Sequence, residues 1–570
     1  MKQKHSLNTA LTRMKYPKNE LAQLVIASCV ANGIEEVIIS PGSRNAPLTI
    51  GFTSHPKINT YSIVDERCAA FMALGIAQQT RKPVAVVCTS GSALLNYYPA
   101  ISEAFYSDIP LVIISADRPE HLLDIGDGQT IRQKNIFENH SLCNVNLVSD
   151  DYSQSKELIE KALYTSVLKN GPVHINIPFD EPLYETVPSI LELESAIHYD
   201  SSKSLLKETP IDVDDLQQYA DKWNRSKKKI VLVGSSFPDE LLQVQLDHII
   251  KDSSVLVFVE TISNVANPKF INSIDQLLFP LDDDEFKNLQ PEIVISLGGM
   301  VVSKRIKQFL RKYQPHEHWH IDANRAMDTF HCMTRHFTVS PQLFFSQFFF
   351  LTEEKQSDYQ KDWLTIKETR KLKHKEYLSQ IDYSDFCVHD ILIESFPDNA
   401  QVQLSNSSVI RYSQLFDVNP TLKVFCNRGT SGIDGSTSTA IGAAISSKAQ
   451  TVFVTGDISF FYDSNALWNE YIPNDFRILL INNNGGGIFK FIPGPSNSGA
   501  LDYFETPHGL TAKHLCAMYG FEYSTVADET SLKNSLSDFY NISDKPKLLE
   551  IHTPSDINDA YLKEYFNSLK

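Results

Sequence analysis

Short runs of β-branched residues recur along the chain and are separated by longer amphipathic segments. In the first third these runs are Val37–Ile39, Val84–Val87, Leu111–Ile114 and Val173–Ile177. Continuous apolar runs with helical segments between them are typical of buried parallel strands joined by crossover helices. The pattern therefore predicts an α/β fold of the doubly wound, parallel-sheet type.

The alternation is interrupted twice along the 570 residues. An acidic, serine-rich stretch between about 183 and 210 indicates a linker, and a charge-dense stretch near 353–380 indicates a solvated helical connector. The sequence therefore predicts three doubly wound α/β domains, at residues 1–190, 205–350 and 380–570.

The charge balance excludes several classes of partner. The chain has 52 Lys and Arg against 69 Asp and Glu, a net charge of −17, which opposes binding to nucleic acid or to an anionic membrane. No run of about 18 apolar residues could span a membrane, and the first residues lack the apolar core of a signal peptide. We expect a cytoplasmic protein that binds neither nucleic acid nor membrane.

Two strand-like segments end in small polar residues, Thr451–Asp457 and Ile478–Gly487. Parallel strands bring such ends to one edge of a sheet, where open α/β folds bind ligands. Asp457, an asparagine amide and a main-chain carbonyl in the glycine turn would supply the hard oxygen ligands that suit Mg²⁺, which in turn holds phosphate. Either motif alone would usually be a strand-ending turn, but together they predict a diphosphate and magnesium site.

A glycine-rich loop, Asn427–Gly435, precedes the small-residue helix Ser438–Ala444. Such a loop can approach a flat ligand closely and direct backbone N–H groups at a diphosphate.

An acidic pair, Asp65 and Glu66, follows a strand and precedes a helix of small and apolar residues. Its ordinary role would be helix capping. Burial beside Ala69, Ala70 and Phe71 would raise the pKa of a carboxyl group at this position.

These motifs, in this order, resemble the signature of thiamine-diphosphate-dependent enzymes. Two details depart from the usual pattern: Ile458 replaces the third residue of Gly-Asp-Gly, and the triple asparagine leaves a choice between Asn483 and Asn484 as metal ligand. Further motifs across most of the chain resemble one family, the 2-succinyl-5-enolpyruvyl-6-hydroxy-3-cyclohexene-1-carboxylate synthases: Ser40–Arg44, Ser115–Pro119, Gly128–Gln133, Ser303–Arg305, Asn406–Arg411 and Ile488–Pro493.

The resemblance implies a cofactor, a reaction and an assembly. The cofactors would be thiamine diphosphate and Mg²⁺, with Mn²⁺ as an alternative. The substrates would be 2-oxoglutarate, which is decarboxylated, and isochorismate, to which the succinyl carbanion equivalent is added. Residues 1–190 would bind the pyrimidine, residues 380–570 the diphosphate and metal. The two units that hold one cofactor come from different chains in this fold, so a homodimer is implied, which could pair into a tetramer.

The resemblance also assigns roles to individual residues. Glu66 would be the catalytic residue that activates the cofactor, and the metal ligands would be Asp457, Asn483 and the carbonyl of Gly485. Cofactor-binding positions would be Gly429, Ser431, Gly432, Ile433, Asp434, Gly456, Asp457, Ile458, Ser459, Asn483, Gly485, Ile488 and Phe489. Substrate-binding positions would be Ser43, Arg44, Arg118, Gln129, Lys304, Arg305, Ser407, Arg411, Arg428, Ile488, Phe489 and Ile492.

The cationic side chains in this set agree with the chemistry, because both substrates are dicarboxylates and guanidinium groups bind carboxylates in paired hydrogen bonds. Any single arginine would more often form a surface ion pair. Two other functions stay open: a thiamine enzyme similar to acetolactate synthase that acts on pyruvate, and a nucleotide-binding module with the same architecture and no thiamine chemistry. His316–His320 could mimic a metal site, but its alternation favours a partly exposed strand.

Overall fold

Three parallel sheets form the framework of the protein, a computed structural model of which describes residues 15–193, 208–491 and 494–570. Two of the sheets have six strands and one has five. All their strand pairs are parallel, and helices separate the strands along the chain. The predicted doubly wound α/β class is confirmed.

The first sheet has the strand order β3-β2-β4-β5-β7-β6, and β1 and β8 form a separate antiparallel pair. Strands β4 and β5 are buried along their whole length, which is why their sequences are continuous apolar runs. The strands are β1 (Tyr16–Pro17), β2 (Glu36–Ile39), β3 (Asn59–Ser62), β4 (Val84–Cys88), β5 (Leu111–Asp117), β6 (Cys143–Asn146), β7 (Val173–Pro178) and β8 (Thr186–Val187). The helices are α1 (Glu20–Ala31), α2 (Ala46–Ser54), α3 (Glu66–Thr80), α4 (Ala93–Asn96), α5 (Tyr98–Tyr106) and α6 (Tyr152–Lys169).

The second sheet has the order β10-β9-β11-β12-β13. Its strands are β9 (Lys229–Val233), β10 (Val255–Val259), β11 (Ile293–Leu297), β12 (Glu317–Ile321) and β13 (Arg335–Phe337). Strand β12 contains the histidine-rich segment, as its alternation predicted. The helices are α7 (Val213–Arg225), α8 (Glu240–Ile249), α9 (Ile274–Leu278), α10 (Asp283–Leu289), α11 (Lys304–Lys312), α12 (Pro341–Phe348) and the long connector α13 (Tyr359–Leu378).

The third sheet has the order β15-β14-β16-β17-β19-β18. Its strands are β14 (Gln401–Leu404), β15 (Lys423–Cys426), β16 (Thr451–Gly456), β17 (Arg477–Asn482), β18 (Glu522–Val526) and β19 (Lys547–His552). The helices are α14 (Asp385–Ser395), α15 (Ser408–Ser413), α16 (Ser436–Ser446), α17 (Asp457–Tyr462), α18 (Ile488–Phe491), α19 (Leu501–Glu505), α20 (Lys513–Tyr519), α21 (Glu529–Phe539) and α22 (Asn558–Ser568).

By packing, the described residues form two compact units. The first contains residues 15–193 together with Asp434–Lys448 and Asp463–Pro473, and the second contains the remaining described residues from 208 onward. Two segments of the predicted third domain therefore pack with the first sheet. The domain limits 1–190, 205–350 and 380–570 remain a prediction.

Helix α16 is held in the first unit by a close contact with α3. A Cβ atom on Gly75 would lie 2.1 Å from the carbonyl oxygen of Thr439, and one on Gly442 would lie 2.0 Å from that of Met72. Both positions must therefore be glycine for the two helix backbones to approach this closely.

The sequence predicted no membrane-spanning segment, and the helices and thiols of the structure can be described in turn. None of the described helices is both long enough and apolar enough to cross a membrane. All eight cysteines lie within the described residues, and none of them forms a disulfide. The thiols are therefore not part of a covalent framework.

Candidate active site

A cavity of about 160 Å³ lies where strands β14, β16 and β17 end, at the carboxyl edge of the third sheet. Nine of the predicted site residues line it: Ser407, Ile433, Gly456, Asp457, Ile458, Ser459, Asn483, Gly485 and Phe489. Other lining residues, which the sequence did not single out, include Asp385, His389, Asn406 and Glu505. The strand ends thus come together as parallel pairing predicts.

Asp457 is the first residue of α17 and is only 3% exposed. Its carboxylate accepts hydrogen bonds from the backbone N–H groups of Ile458, at 2.7 Å, and Gly485, at 3.0 Å. Burial raises the pKa of Asp457 to about 7, even though these N–H groups lower it. A carboxylate in this setting gains from a cation in the cavity.

The three consecutive asparagines have different roles. The Nδ2 of Asn482 donates to Glu550 Oε1, at 2.7 Å, inside the protein, and Asn484 adopts a positive φ of 62° in the turn. Only Asn483 of the three lines the cavity, and its Nδ2 donates to Asp385 Oδ2 at 2.9 Å. Because the amide nitrogen is used in this bond, Asn483 Oδ1 is the atom left for a metal. This geometry favours Asn483 over Asn484 as the candidate metal ligand.

Asp385, the first residue of α14, fixes this orientation. Its other oxygen, Oδ1, accepts from Thr553 Oγ1 at 2.6 Å, and its backbone N–H donates to Asn558 Oδ1 at 2.9 Å. Burial raises the pKa of Asp385. An acidic residue at the start of a helix normally indicates only a favourable interaction with the helix dipole. The sequence therefore contains no signal that points to Asp385 as part of a site.

The cavity has an excess of negative charge. Asp385 and Asp457 both line it, and the charge of Asp385 contributes to the raised pKa of Asp457. No lysine or arginine is among the lining residues that the structure describes. The His508 Nε2 lies 3.3 Å from Asp457, but burial lowers the pKa of His508, so it supplies little compensating charge.

This donor set fits a hard divalent cation. Within the described residues, no cluster of three or more His, Cys, Asp or Glu side chains could hold a metal ion. A metal in the cavity would therefore depend on amide and main-chain oxygens as well as carboxylates, which is the ligand chemistry of Mg²⁺.

The glycine-rich loop is anchored beside the cavity by Asn406. The Nδ2 of Asn406 donates to the carbonyls of Asn427 and Gly432, both at 2.7 Å, and its Oδ1 accepts from Arg428 at 2.7 Å. The carbonyl of Ile433 accepts from Ser459 Oγ at 2.8 Å. The loop residues Gly429, Ser431 and Gly432 belong to this anchored segment but do not line the cavity.

A basic cluster lies in the same unit. Arg411 donates to the carbonyl of Ser407 at 2.7 Å, one turn back along the chain, so it lies next to a residue that lines the cavity. Burial and then the charge of Arg428 lower the pKa of Arg411. Asp275, whose pKa is raised by burial, interacts with the charges of Arg305 and Arg411.

Glu260 anchors the segment that carries Lys304 and Arg305, both of which are exposed. Its buried carboxylate accepts from the backbone N–H of Val302, at 2.7 Å, and that of Ser303, at 2.8 Å. Burial raises the pKa of Glu260 to about 7. This strand-end glutamate was also missed, because its role depends on a contact with a distant segment.

In the first unit, Asp65 and Glu66 differ in their surroundings. Asp65 caps α3: its side chain accepts from the backbone N–H groups of Arg67, at 3.0 Å, and Cys68, at 3.3 Å. Glu66 is half-buried, and burial, followed by the charge of Asp65, raises its pKa. The capping interpretation therefore applies to Asp65 and leaves Glu66 available for chemistry.

The other predicted residues of the first unit are largely held by protein groups. Arg44 is 4% exposed and donates to the carbonyl of Phe179 at 2.9 Å, while Arg118 donates to that of Gly128 at 3.0 Å. Gln129 is exposed with a positive φ of 55°. Ser43 is exposed, and Asp434 begins the segment that packs in this unit.

Two predicted positions, Ile488 and Phe489, follow the glycine turn after β17. Phe489 lines the cavity and packs against Phe504, with ring centroids 5.5 Å apart. Ile488 is the first residue of α18 and is partly buried. Ile492 lies outside the described residues.

Two parts of the chain match family models. Residues 19–140 match the N-terminal TPP binding domain of thiamine pyrophosphate enzymes, and residues 199–403 match the middle domain of these enzymes. Together with the three parallel sheets, these matches define a thiamine pyrophosphate enzyme.

Full-length relatives narrow the class further. The chain is 54% identical to a 2-succinyl-5-enolpyruvyl-6-hydroxy-3-cyclohexene-1-carboxylate synthase of Flavobacterium johnsoniae, over 98% of this chain and 100% of the relative. It is 52% identical to the Christiangramia forsetii synthase of the same name, over 98% and 100%, and 36% identical to that of Porphyromonas gingivalis, over 94% of each. The chain belongs to the 2-succinyl-5-enolpyruvyl-6-hydroxy-3-cyclohexene-1-carboxylate synthase family, which confirms the resemblance.

Proposed function

We propose that this enzyme is a transferase that decarboxylates 2-oxoglutarate and adds the succinyl unit to isochorismate, a step of menaquinone biosynthesis. The observation that carries the proposal is its identity of 54% with a named synthase over nearly the whole chain. Thiamine diphosphate, when bound, supplies the electron sink for decarboxylation.

Asp457, Asn483 and the carbonyl of Gly485 are proposed to hold Mg²⁺, with Mn²⁺ as an alternative. The support is the buried negative charge of the cavity and the orientation of Asn483 by Asp385. The cation would compensate both carboxylates and bind the diphosphate, while the glycine turn after β17 brings the backbone close to it.

Glu66 is proposed to hold and move the proton at the aminopyrimidine ring. Its raised pKa supports this role, since a general acid or base works best when its pKa is near the working pH. We further propose a homodimer in which Glu66 of one chain and the cavity of the other serve one cofactor; two dimers could form a tetramer.

The cations of the second unit are proposed to bind substrate carboxylates. Arg411 lies next to the cavity through Ser407, and Lys304 and Arg305 are exposed on a segment that Glu260 anchors. Arg428, fixed by Asn406, adds a further guanidinium group. Planar guanidinium groups suit dicarboxylates, because each can form two parallel hydrogen bonds with a carboxylate.

A product assay with 2-oxoglutarate and isochorismate tests the reaction. The enzyme should release CO₂ from 2-oxoglutarate and not from pyruvate, and thiamine diphosphate with Mg²⁺ should raise its melting temperature. CO₂ release from pyruvate alone would instead indicate an enzyme similar to acetolactate synthase. The absence of any stabilisation by the cofactor would favour a nucleotide-binding module.

Arg411→Ala should reduce the use of 2-oxoglutarate much more than the binding of thiamine diphosphate. Loss of a buried charge-assisted contact costs on the order of 2–5 kcal/mol, which corresponds to several tens-fold or more in kcat/KM. Arg118→Ala should mainly affect isochorismate. Steady-state kinetics with each substrate varied in turn, together with a melting curve, measures both effects.

The structure makes the second part of this test demanding, because Arg118 already donates to the carbonyl of Gly128. If an arginine only stabilises its own unit, its replacement should lower kcat/KM for both substrates equally and should also lower the melting temperature of the protein. Parallel losses of this kind in both variants would contradict a role in substrate binding.

Asp385→Ala should weaken metal binding although Asp385 is not a proposed ligand. Without its carboxylate, the Asn483 side chain loses the acceptor that orients it. Loss of such an outer partner typically reduces metal affinity by about 10- to 100-fold. Calorimetric titration of Mg²⁺ into the protein, in the presence of thiamine diphosphate, measures the change in Mg²⁺ affinity.

The matched control is Asp382→Asn, three residues earlier, where the exposed carboxylate accepts, among the described residues, only from the Tyr561 hydroxyl at 3.0 Å. This variant should bind Mg²⁺ as the unmodified protein does. Equal Mg²⁺ affinity in Asp385→Ala and Asp382→Asn would show that Asp385 does not position the metal ligand.

A further inference from the structure

A second cavity, of about 300 Å³, lies in the second unit and shares no lining residue with the candidate active site. One wall is a face of the connector helix α13, and another is α14. Apolar side chains, among them Leu277, Leu378, Ile393 and Phe416, complete the lining.

The face of α13 presents a row of basic residues to this cavity, and most of them have partners. Lys367 donates to the carbonyls of Pro268 and Phe270, both at 2.8 Å, and Lys371 forms an ion pair with Asp417. The Nδ1 of His374 shares a hydrogen bond with the Tyr565 hydroxyl at 2.8 Å.

Arg370 is different. Its side chain lines the cavity, and the residue is only 9% exposed, yet it has no hydrogen bond and no carboxylate within 4.0 Å among the described residues. Burial lowers the pKa of Arg370, and the more distant charge of Glu285 offsets this only in part. Glu285 itself accepts from the backbone N–H of Asp282 at 2.9 Å. The Nε of Arg370 is buried without a hydrogen-bond partner, and a largely buried guanidinium with no carboxylate beside it is unfavourable, which points to an anion from outside the chain.

The opposite wall limits which anion can bind. Asp390 and Glu394 of α14 also line the cavity, and Asp390 is partly buried. These two acidic side chains would repel a ligand with several negative charges. The apolar residues between the two walls suit a hydrocarbon body.

We propose that this cavity is a binding site for a small organic acid that has a single carboxylate and an apolar body, with the carboxylate paired to Arg370. The guanidinium forms two parallel hydrogen bonds with the carboxylate, and the body of the ligand lies against Leu277, Ile393 and Phe416. The ligand supplies the partner that Arg370 lacks among the residues that the structure describes.

Benzoate is a suitable probe, and the holoenzyme saturated with thiamine diphosphate and Mg²⁺ is the suitable sample. At constant ionic strength, benzoate should raise the melting temperature in a saturable way. Arg370→Met should weaken the apparent affinity for benzoate by at least about tenfold. Without benzoate, the same variant should melt at the same temperature as the unmodified protein or higher, because an unpaired buried charge has been removed.

Two controls make the test specific. Arg225→Met replaces an exposed arginine of the same unit that does not line the cavity, and it should leave the benzoate effect unchanged. Benzyl alcohol has the same ring without the carboxylate and should not stabilise the protein. The proposal is overturned by an equal effect of benzyl alcohol or inorganic phosphate, by an unchanged benzoate affinity in Arg370→Met, or by a lowered melting temperature of that variant without benzoate.

Discussion

Replacing Glu66 with glutamine should lower kcat by about 10²- to 10⁴-fold, the usual contribution of a positioned acid or base. The amide has nearly the same shape but cannot exchange a proton with the pyrimidine ring. Thiamine diphosphate affinity should change little, because the proposed diphosphate and metal ligands are elsewhere in the sequence. Steady-state kinetics and calorimetric titration of the cofactor separate the two effects.

Asp65→Ala is the matched control for this experiment. Asp65 accepts the N–H groups at the start of α3, so its loss should destabilise the protein by about 0.5–2 kcal/mol, as other N-cap losses do. Turnover by the folded enzyme should be affected much less than in Glu66→Gln. Near-normal turnover in Glu66→Gln would show that this glutamate is not the activator.

Asp457→Ala should reduce thiamine diphosphate affinity by at least about 100-fold at ordinary Mg²⁺ concentration. The variant loses a proposed metal ligand, so the charge of the diphosphate is poorly compensated, and removing one partner of a buried charge pair is costly. The fold should persist, since no arginine or lysine of the described residues pairs with Asp457. Calorimetry with the cofactor and a melting curve of the apoprotein provide the measurements.

An exposed aspartate of the same unit, Asp475, offers the comparison. Asp475→Ala removes the same charge from the sequence without touching the cavity, so its cofactor affinity should be unchanged. If Asp457→Ala bound the cofactor as tightly as Asp475→Ala, the metal site would have to be assigned to other residues.

The sequence predicted the features that are encoded locally. Parallel strands buried on both faces require continuous apolar runs, so β4, β5 and β17 can be located from the sequence alone. The end of β16 could likewise be predicted as a ligand site, because Gly-Asp after an apolar strand is itself a local pattern.

The features that the sequence did not predict depend on contacts between distant segments. Asp385 orients Asn483 across 98 positions, and Glu260 holds the backbone of Ser303 across 43. In the sequence, Asp385 is simply an acidic residue at the start of a helix, and Glu260 is one that follows a strand. Acidic residues are common at both kinds of position. The choice between Asn483 and Asn484 was open for the same reason: it depends on which amide meets Asp385.

The contact between α3 and α16 has a consequence for biosynthesis. The two helices are about 350 residues apart in the sequence, and their glycines fit each other's backbones. At the usual elongation rate of about 5–20 residues per second, α3 leaves the ribosome roughly 20–70 seconds before α16 does. During that interval the face of α3 that α16 will cover has no partner within the first unit. Residues 15–193 therefore cannot complete the packing of the first unit until Asp434–Lys448 and Asp463–Pro473 have also been synthesised.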